Sequence, residues 1–258
     1  MSEHDEPNRM TLSGHIDELR VRLIRSLAAT AVGFVVCFYF IDEVFGFLRK
    51  PLTDVIDAWP EELRDRVELI QTEPGEAFFT SMLVALFAGL IVAAPIVMNQ
   101  IWGFVAAGLY SHERRMVKYY ALPGFGLFLA GAALAYYFVL PFALDFLLLW
   151  GVEEQGLGIK AFLKINSYIS LIAWAMFVFG LVFQLPVIMV FLMRLGVVEP
   201  ATFKRWRRAV IVINFAAAMV LTPPDVISQI VLAICMSVLY EGAILVGGVV
   251  AAPRQEKE

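Results

Sequence analysis

The sequence predicts an all-α membrane protein with six transmembrane helices, and three observations carry that prediction. The chain of 258 residues is 60% hydrophobic, against the 45–50% typical of soluble domains. Its apolar residues fall into six stretches: 23–41, 77–98, 119–149, 168–193, 209–221 and 226–246. Charged residues sit in the segments between these stretches and not in polar stripes along them, as a soluble helical protein would require.

Span length follows from helix geometry. A helix rises about 1.5 Å per residue and the hydrocarbon core is about 30 Å thick, so roughly 20 apolar residues cross it. The first four stretches meet that length. The fifth has 13 residues and reaches only about 20 Å. The first stretch has no small-residue cleavage site and five more follow it, so it reads as a retained span and not a secretion signal.

Orientation is read from Lys and Arg. With the amino terminus placed in the cytoplasm, 14 of the 20 basic residues lie on that side, including Arg20, Arg22, Arg114, Arg115 and the Lys204–Arg208 cluster. The positive-inside rule then puts both termini in the cytoplasm. The expected organisation is a cytoplasmic tail and interfacial helix over 1–22, a six-span domain over 23–246, and a cytoplasmic tail over 247–258. Residues 1–10 are expected to be disordered.

Ser13 is expected to cap a helix that runs directly into the first span. Leu12, Ile16, Leu19 and Leu23 form its membrane-facing stripe, and Glu18 and Arg22 make an i,i+4 pair in the favourable order. The segment 42–76 is too long for a simple link. It is expected to form short helices at the outer interface, broken at Pro51. Pro95, Pro123, Pro141 and Pro186 lie in or at the ends of spans and are expected to bend them into a curved wall. Thr222-Pro223-Pro224-Asp225 reads as a tight turn, with Asp225 capping the last span.

Cys37 and Cys235 lie inside apolar spans and read as packing residues. The sequence has no His-Glu-x-x-His, Cys-x-x-Cys, Gly-x-Ser-x-Gly or Walker motif, and no histidine within a span. No enzyme activity, metal or cofactor is therefore expected. Intramembrane polar groups are functional candidates by default. They are Gln184, Asn214, Gln229 and Glu241. For Gln184 the simpler reading is a bond to a proline-freed carbonyl; for Asn214, interhelical glue; for Glu241, a carboxylate reaching water. Glu18 and Glu113 lie among many cations at the cytoplasmic side, and spacing alone favours local neutralisation by Arg22 and by Arg114 or Lys118.

Four segments carry a resemblance: His15-Ile16-Asp17-Glu18-Leu19-Arg20-Val21-Arg22-Leu23, Leu109-Tyr110-Ser111-His112-Glu113-Arg114-Arg115, Phe183-Gln184-Leu185-Pro186, and Leu221-Thr222-Pro223-Pro224-Asp225-Val226-Ile227-Ser228-Gln229. In order and in context, they resemble TatC, the large subunit of the twin-arginine protein translocase. The resemblance implies a receptor for twin-arginine signal peptides that exports folded proteins across the bacterial cytoplasmic membrane, driven by the proton-motive force. It implies a cupped shape with short fifth and sixth spans. Glu18 and Glu113 match the family's acidic residues for the arginine pair. Arg20, Phe104 and Pro51 match other residues on which family function depends. Thr222 and Gln229 match a polar site where the single-span partners TatA and TatB dock. Gln184 stands where the family often has a glutamate, which weighs against a proton relay there. The implied partners are signal peptides, TatA, TatB, the lipid bilayer and further copies of the chain, with no nucleic acid. A self-contained secondary transporter of a small solute is the other reading.

Overall fold

The computed structural model describes residues 12–64, 66–109, 111–153, 161–222 and 226–250; the side chains of residues 12, 111–116, 118, 119, 150–153 and 161 lie outside that description. Residues 1–10 and Asp225, which carried expectations of disorder and capping, also lie outside it.

The chain runs back and forth between two ends, here termed the rim and the cap. Helix α1 (Leu12–Tyr39) climbs from rim to cap, where α2 (Ile41–Asp57), α3 (Glu61–Arg64) and β1 (Val67–Ile70) lie. Helix α4 (Glu76–Ala107) returns to the rim. Helix α5 (Ser111–Leu134), a π-helical turn (Ala135–Val139) and α6 (Leu140–Glu153) climb again, and β2 (Ala161–Lys164) lies at the cap. Helices α7 (Ile165–Val182) and α8 (Leu185–Arg194) descend, α9 (Pro200–Leu221) climbs, and α10 (Val226–Val250) descends.

Among the described residues, five helical segments are long and apolar enough to cross a membrane: 13–39, 76–107, 120–149, 165–194 and 226–250. Helix α9 falls short because its first half carries Lys204, Arg205, Arg207 and Arg208. The implied short last span is corrected: α10 has 25 residues, about 37 Å at the standard rise, so only the α9 apolar segment is short. Its small residues let it continue, with Gly247 seated against Met193 of α8.

Two glycine-lined crossings set the layout. A Cβ on Gly33 of α1 would strike the Gly89 carbonyl of α4, and one on Gly89 would strike the backbone at Phe34. A Cβ on Gly131 of α5 would lie 2.5 Å from the Phe179 carbonyl oxygen of α7. Small residues let helix backbones approach, and dispersion across the contact replaces the hydrophobic drive that is absent between helices in lipid. The main core gathers Leu52, Val84, Leu140, Ile172, Phe179 and Leu232 from five helices. The stripe of Ile16, Leu19 and Leu23 is exposed, as a lipid-facing surface requires.

Three expectations change. Ser13 lies inside α1 and not at its cap. Residues 67–70 form a strand that pairs in parallel with 161–164, Val67 opposite Ala161 and Ile70 opposite Lys164. This pairing is non-local, so no local pattern announced it. Pro51 does not break α2, which runs through it. A proline removes the donor to the carbonyl four residues earlier, here Phe47. The Tyr136 hydroxyl, from the π-helical turn, donates to that carbonyl at 2.6 Å, and its ring stacks on Phe47 at 4.2 Å between centroids. The Tyr168 hydroxyl donates to the neighbouring Leu48 carbonyl at 2.8 Å. With Leu48, Leu52 and Val55 buried in the core, α2 is part of the bundle.

The other prolines divide. Pro95 and Pro123 sit within uninterrupted helices. Pro141 follows the π-helical turn, where the Leu140 N–H reaches back to Ala135. Pro186 stands in the first turn of α8, just after the break from α7.

Candidate functional site

The rim site is built on the α1/α4 pairing. His15, Glu18 and Arg22 recur at i, i+3 and i+7, so they share one face of α1. Gly103, Phe104 and Gly108 lie at the carboxy-terminal end of α4, which runs antiparallel beside them. The His15 ring stacks on Phe104, centroids 4.4 Å apart and planes 25° from parallel. Arg22 donates from Nε to Glu18 Oε1 at 2.7 Å, and its Nη2 lies 2.5 Å from the same oxygen. The local pairing expected from spacing is therefore present. The Arg22 and Glu18 side chains are 22% and 29% exposed, so the pair is only partly buried.

Gly103 makes this arrangement possible. A Cβ there would run into the Arg22 guanidinium, so the bare backbone is the seat on which that group lies. Arg20 is exposed and stands two residues from Glu18, on another face of α1, so the structure does not bring it to the pair. Glu113 lies in the first turn of α5, at the same end as Phe104; its side chain is outside the described residues.

A second polar group lies deeper. Gln184 stands at the break between α7 and α8 and is 9% exposed. Its backbone N–H turns to the Leu181 carbonyl at 2.9 Å, which releases the Gly180 carbonyl from its usual partner. The Gln184 amide then donates to that carbonyl at 3.4 Å and to the Gly124 carbonyl of α5 at 3.0 Å. The carbonyl it serves is thus not the one freed by Pro186, which would be Val182, but one freed by the tighter turn before it. Both amide donors are used within this chain.

At the cap end, Thr222 closes α9: its N–H and its hydroxyl both reach the Ala218 carbonyl, each at 2.9 Å. The Trp174 indole donates to the Leu221 carbonyl at 3.0 Å and ties α7 to the same point. Gln229, in the first turns of α10, is half-buried. Asn214 donates to Ser237 Oγ at 3.2 Å, joining α9 to α10. Glu241 accepts from Arg207 at 2.6 Å on the exposed face of that pair. Cys37 and Cys235 are free thiols.

One intramembrane carboxylate escaped the sequence reading. Asp145 lies within the third apolar stretch and accepts the Trp59 indole N–H at 2.7 Å. Trp59 is buried at the end of α2, and Arg64 donates from Nε to its carbonyl at 2.8 Å. A lone acid in an apolar span was the available signal. His15 was also legible in principle, from its i,i+3 relation to Glu18.

The sequence from residue 14 to residue 234 matches the family model described as Sec-independent protein translocase protein (TatC). The protein of that name from Magnetococcus marinus is 38% identical over 98% of this chain and 90% of its own length. The one from Aquifex aeolicus is 36% identical over 96% of this chain and 98% of its own. A crystal structure of the twin arginine translocase receptor TatC superposes with a TM-score of 0.77 at 35% identity, covering 92% of this chain and 100% of that one. The shared description is of a translocase component and not of an enzyme. By sequence over nearly its whole length and by fold, this chain is a membrane protein of the TatC family.

Proposed function

We propose that this chain is the receptor core of a twin-arginine translocase, binding signal peptides at the rim and exporting folded proteins with single-span TatA and TatB partners at the expense of the proton-motive force. The observation that carries this reading is the Glu18 carboxylate holding a guanidinium beside the stacked His15 and Phe104 rings. A planar, permanently charged fork suits a carboxylate better than an ammonium does, so the site is already shaped for arginine. Glu113, one helix away, is the second carboxylate, and Arg20 and Phe104 complete the peptide surface.

In this reading the chain crosses the bacterial cytoplasmic membrane six times, α9 supplying the fifth crossing, and the rim with both termini faces the cytoplasm. Residues 1–22 form the cytoplasmic approach, 23–246 the translocase domain and 247–258 the cytoplasmic tail. The short apolar part of α9 thins the bilayer beside it, which lowers the barrier to polar chain. Thr222 and Gln229 serve partner docking in a multi-copy complex, with Asp225 and Pro51 as structural supports. Gln184 contributes to docking only through the α5–α7–α8 junction that its two bonds hold together.

Crosslinking a twin-arginine peptide to the purified protein tests the assignment. Hydrogen bonds to charged groups contribute about 1.5–3 kcal/mol, so loss of Glu18 or Glu113 should weaken capture by roughly tenfold or more. Unchanged capture in the Glu18→Ala, Glu113→Ala double variant overturns it. Gln229→Leu should disturb co-purification of single-span partners while peptide capture survives.

A further inference from the structure

We propose that the outward face of α9 at Lys204, Arg205 and Arg208 binds the phosphate of an anionic phospholipid of the cytoplasmic leaflet; this rests on α9 being the fifth crossing, with the rim in the cytoplasm. The cations of this corner divide by face. Arg207, Asn214 and Ala218 recur at i, i+7 and i+11 and turn inward: Arg207 donates to Glu241 at 2.6 Å, Asn214 donates to Ser237 at 3.2 Å, and Ala218 is buried. Arg194, at the end of α8, donates to the Val250 carbonyl. Lys204, Arg205 and Arg208 are exposed, and among the described residues none of the three has an ion-pair or hydrogen-bond partner for its side chain. Lys204 and Arg205 stand four and three residues before Arg208, so the three heads form one patch.

The same face continues as an apolar track. Val212 and Phe215, eight and eleven residues after Lys204, are exposed and lie in line with Lys204 and Arg208. An acyl chain lying along them puts its headgroup at the three cations. A soluble anion would make no use of that track.

The relative levels of the helices explain why a counter-charge is needed there. The Tyr240 hydroxyl donates to the Phe203 carbonyl and Glu241 accepts from Arg207, so the first turns of α9 stand beside residues 240 and 241 of α10. Val250, beside Arg194, is nine residues further on, about 13 Å along the axis. The residues between, 242–250, carry no polar side chain. The α9 cations are therefore level with a stretch of α10 that belongs in hydrocarbon, while the exposed Trp206 among them marks a local interface. The membrane face steps inward at α9. A cation drawn toward hydrocarbon is costly unless it is paired, and a lipid phosphate pairs it without leaving the leaflet. Two of the three cations are arginines, whose forks grip a phosphate through two donors at once.

The test adds phosphatidylglycerol or phosphatidylcholine of equal chain length to the full-length protein in detergent and counts retained lipid by native mass spectrometry. The parent should retain phosphatidylglycerol in preference. The combined Lys204→Gln, Arg205→Gln, Arg208→Gln variant should lower that retention about tenfold or more and leave phosphatidylcholine unchanged. Arg205→Lys with Arg208→Lys keeps the charge but removes the forks, so it should lose less, about threefold. Equal retention of the two lipids by the parent, or undiminished phosphatidylglycerol on the glutamine variant, overturns the proposal. So does displacement of the lipid by inorganic phosphate, which would make the patch a free-anion site, or by a co-purified single-span partner, which would make it a protein contact. Labelling of Thr202→Cys, in a variant lacking Cys37 and Cys235, separates the levels: an impermeant maleimide should reach it only from the cytoplasmic face of vesicles. Labelling from the opposite face overturns the topology on which the proposal stands, whereas cytoplasmic labelling with unselective lipid retention overturns the lipid site alone.

Discussion

The cap and the rim of this bundle are held together in opposite ways. At the cap, Tyr136, Tyr168 and Trp59 make hydrogen bonds across 89, 120 and 86 residues of sequence, the first of them to the carbonyl that Pro51 leaves without its helical donor. At the rim, the leading ion pair spans four residues of one helix, and its two side chains remain partly exposed. Long-range bonds among buried groups fix α2 against the bundle and resist exchange. A local, partly exposed pair is cheap to open, which fits the proposed admission of a charged peptide segment. The same chain thus sets an end held by bonds between distant, buried groups against an end whose leading ion pair is local and partly exposed.

The contrast can be broken experimentally. The largest expected effect is on binding: removing both Glu18 and Glu113 should reduce twin-arginine peptide capture by at least tenfold while the melting temperature of the purified protein stays near that of the parent. A collapse in thermal stability would place these carboxylates among the structural groups instead.

Next is the cap. Tyr136→Phe leaves the Phe47 carbonyl without its donor and should cost about 1–3 kcal/mol in unfolding measurements. In a Pro51→Ala background residue 51 regains an N–H for that carbonyl, so the cost of Tyr136→Phe should shrink well below its value in the parent. Equal costs in both backgrounds would mean that the hydroxyl is not there on account of the proline. Peptide capture should be unaffected.

Asp145→Ala should destabilise by about 1–2 kcal/mol, because the Trp59 indole loses its acceptor, and Asp145→Asn should restore most of that. Trp59 fluorescence reports the same bond, and no spectral change in Asp145→Ala would show that the indole is held by packing alone. The smallest effect belongs to the rim. Arg207 and Glu241 are each more than two-fifths exposed, so Glu241→Gln should change stability by less than about 0.5 kcal/mol. A larger change would blur the distinction between the two ends.

Much of the wall was legible before any coordinates. Five of the six apolar stretches return, among the described residues, within helices long enough to cross a membrane, and the Glu18–Arg22 pairing that local spacing suggested is present. What spacing missed was non-local. Pro51 signalled a break, and α2 passes through it because Tyr136 arrives from a distant helix. Gln184 was expected to answer Pro186, yet it answers Gly180 and Gly124, because the turn before α8 tightens and α5 passes alongside. The β1/β2 pairing joins segments on either side of two long helices and has no local signature.

By itself, the sequence marked which segments are apolar and long enough to cross a membrane, because a span needs about 20 apolar residues whatever it later packs against. It also determined the family, since the motifs keep their order along the chain. The tertiary structure alone decided which polar groups from distant segments face one another. Those partners are set by helix crossings at Gly33/Gly89 and Gly131/Phe179, where the absence of a side chain lets two backbones meet. Such a contact brings together residues that no periodicity relates, and the seating of Arg22 on Gly103 is its consequence at the rim.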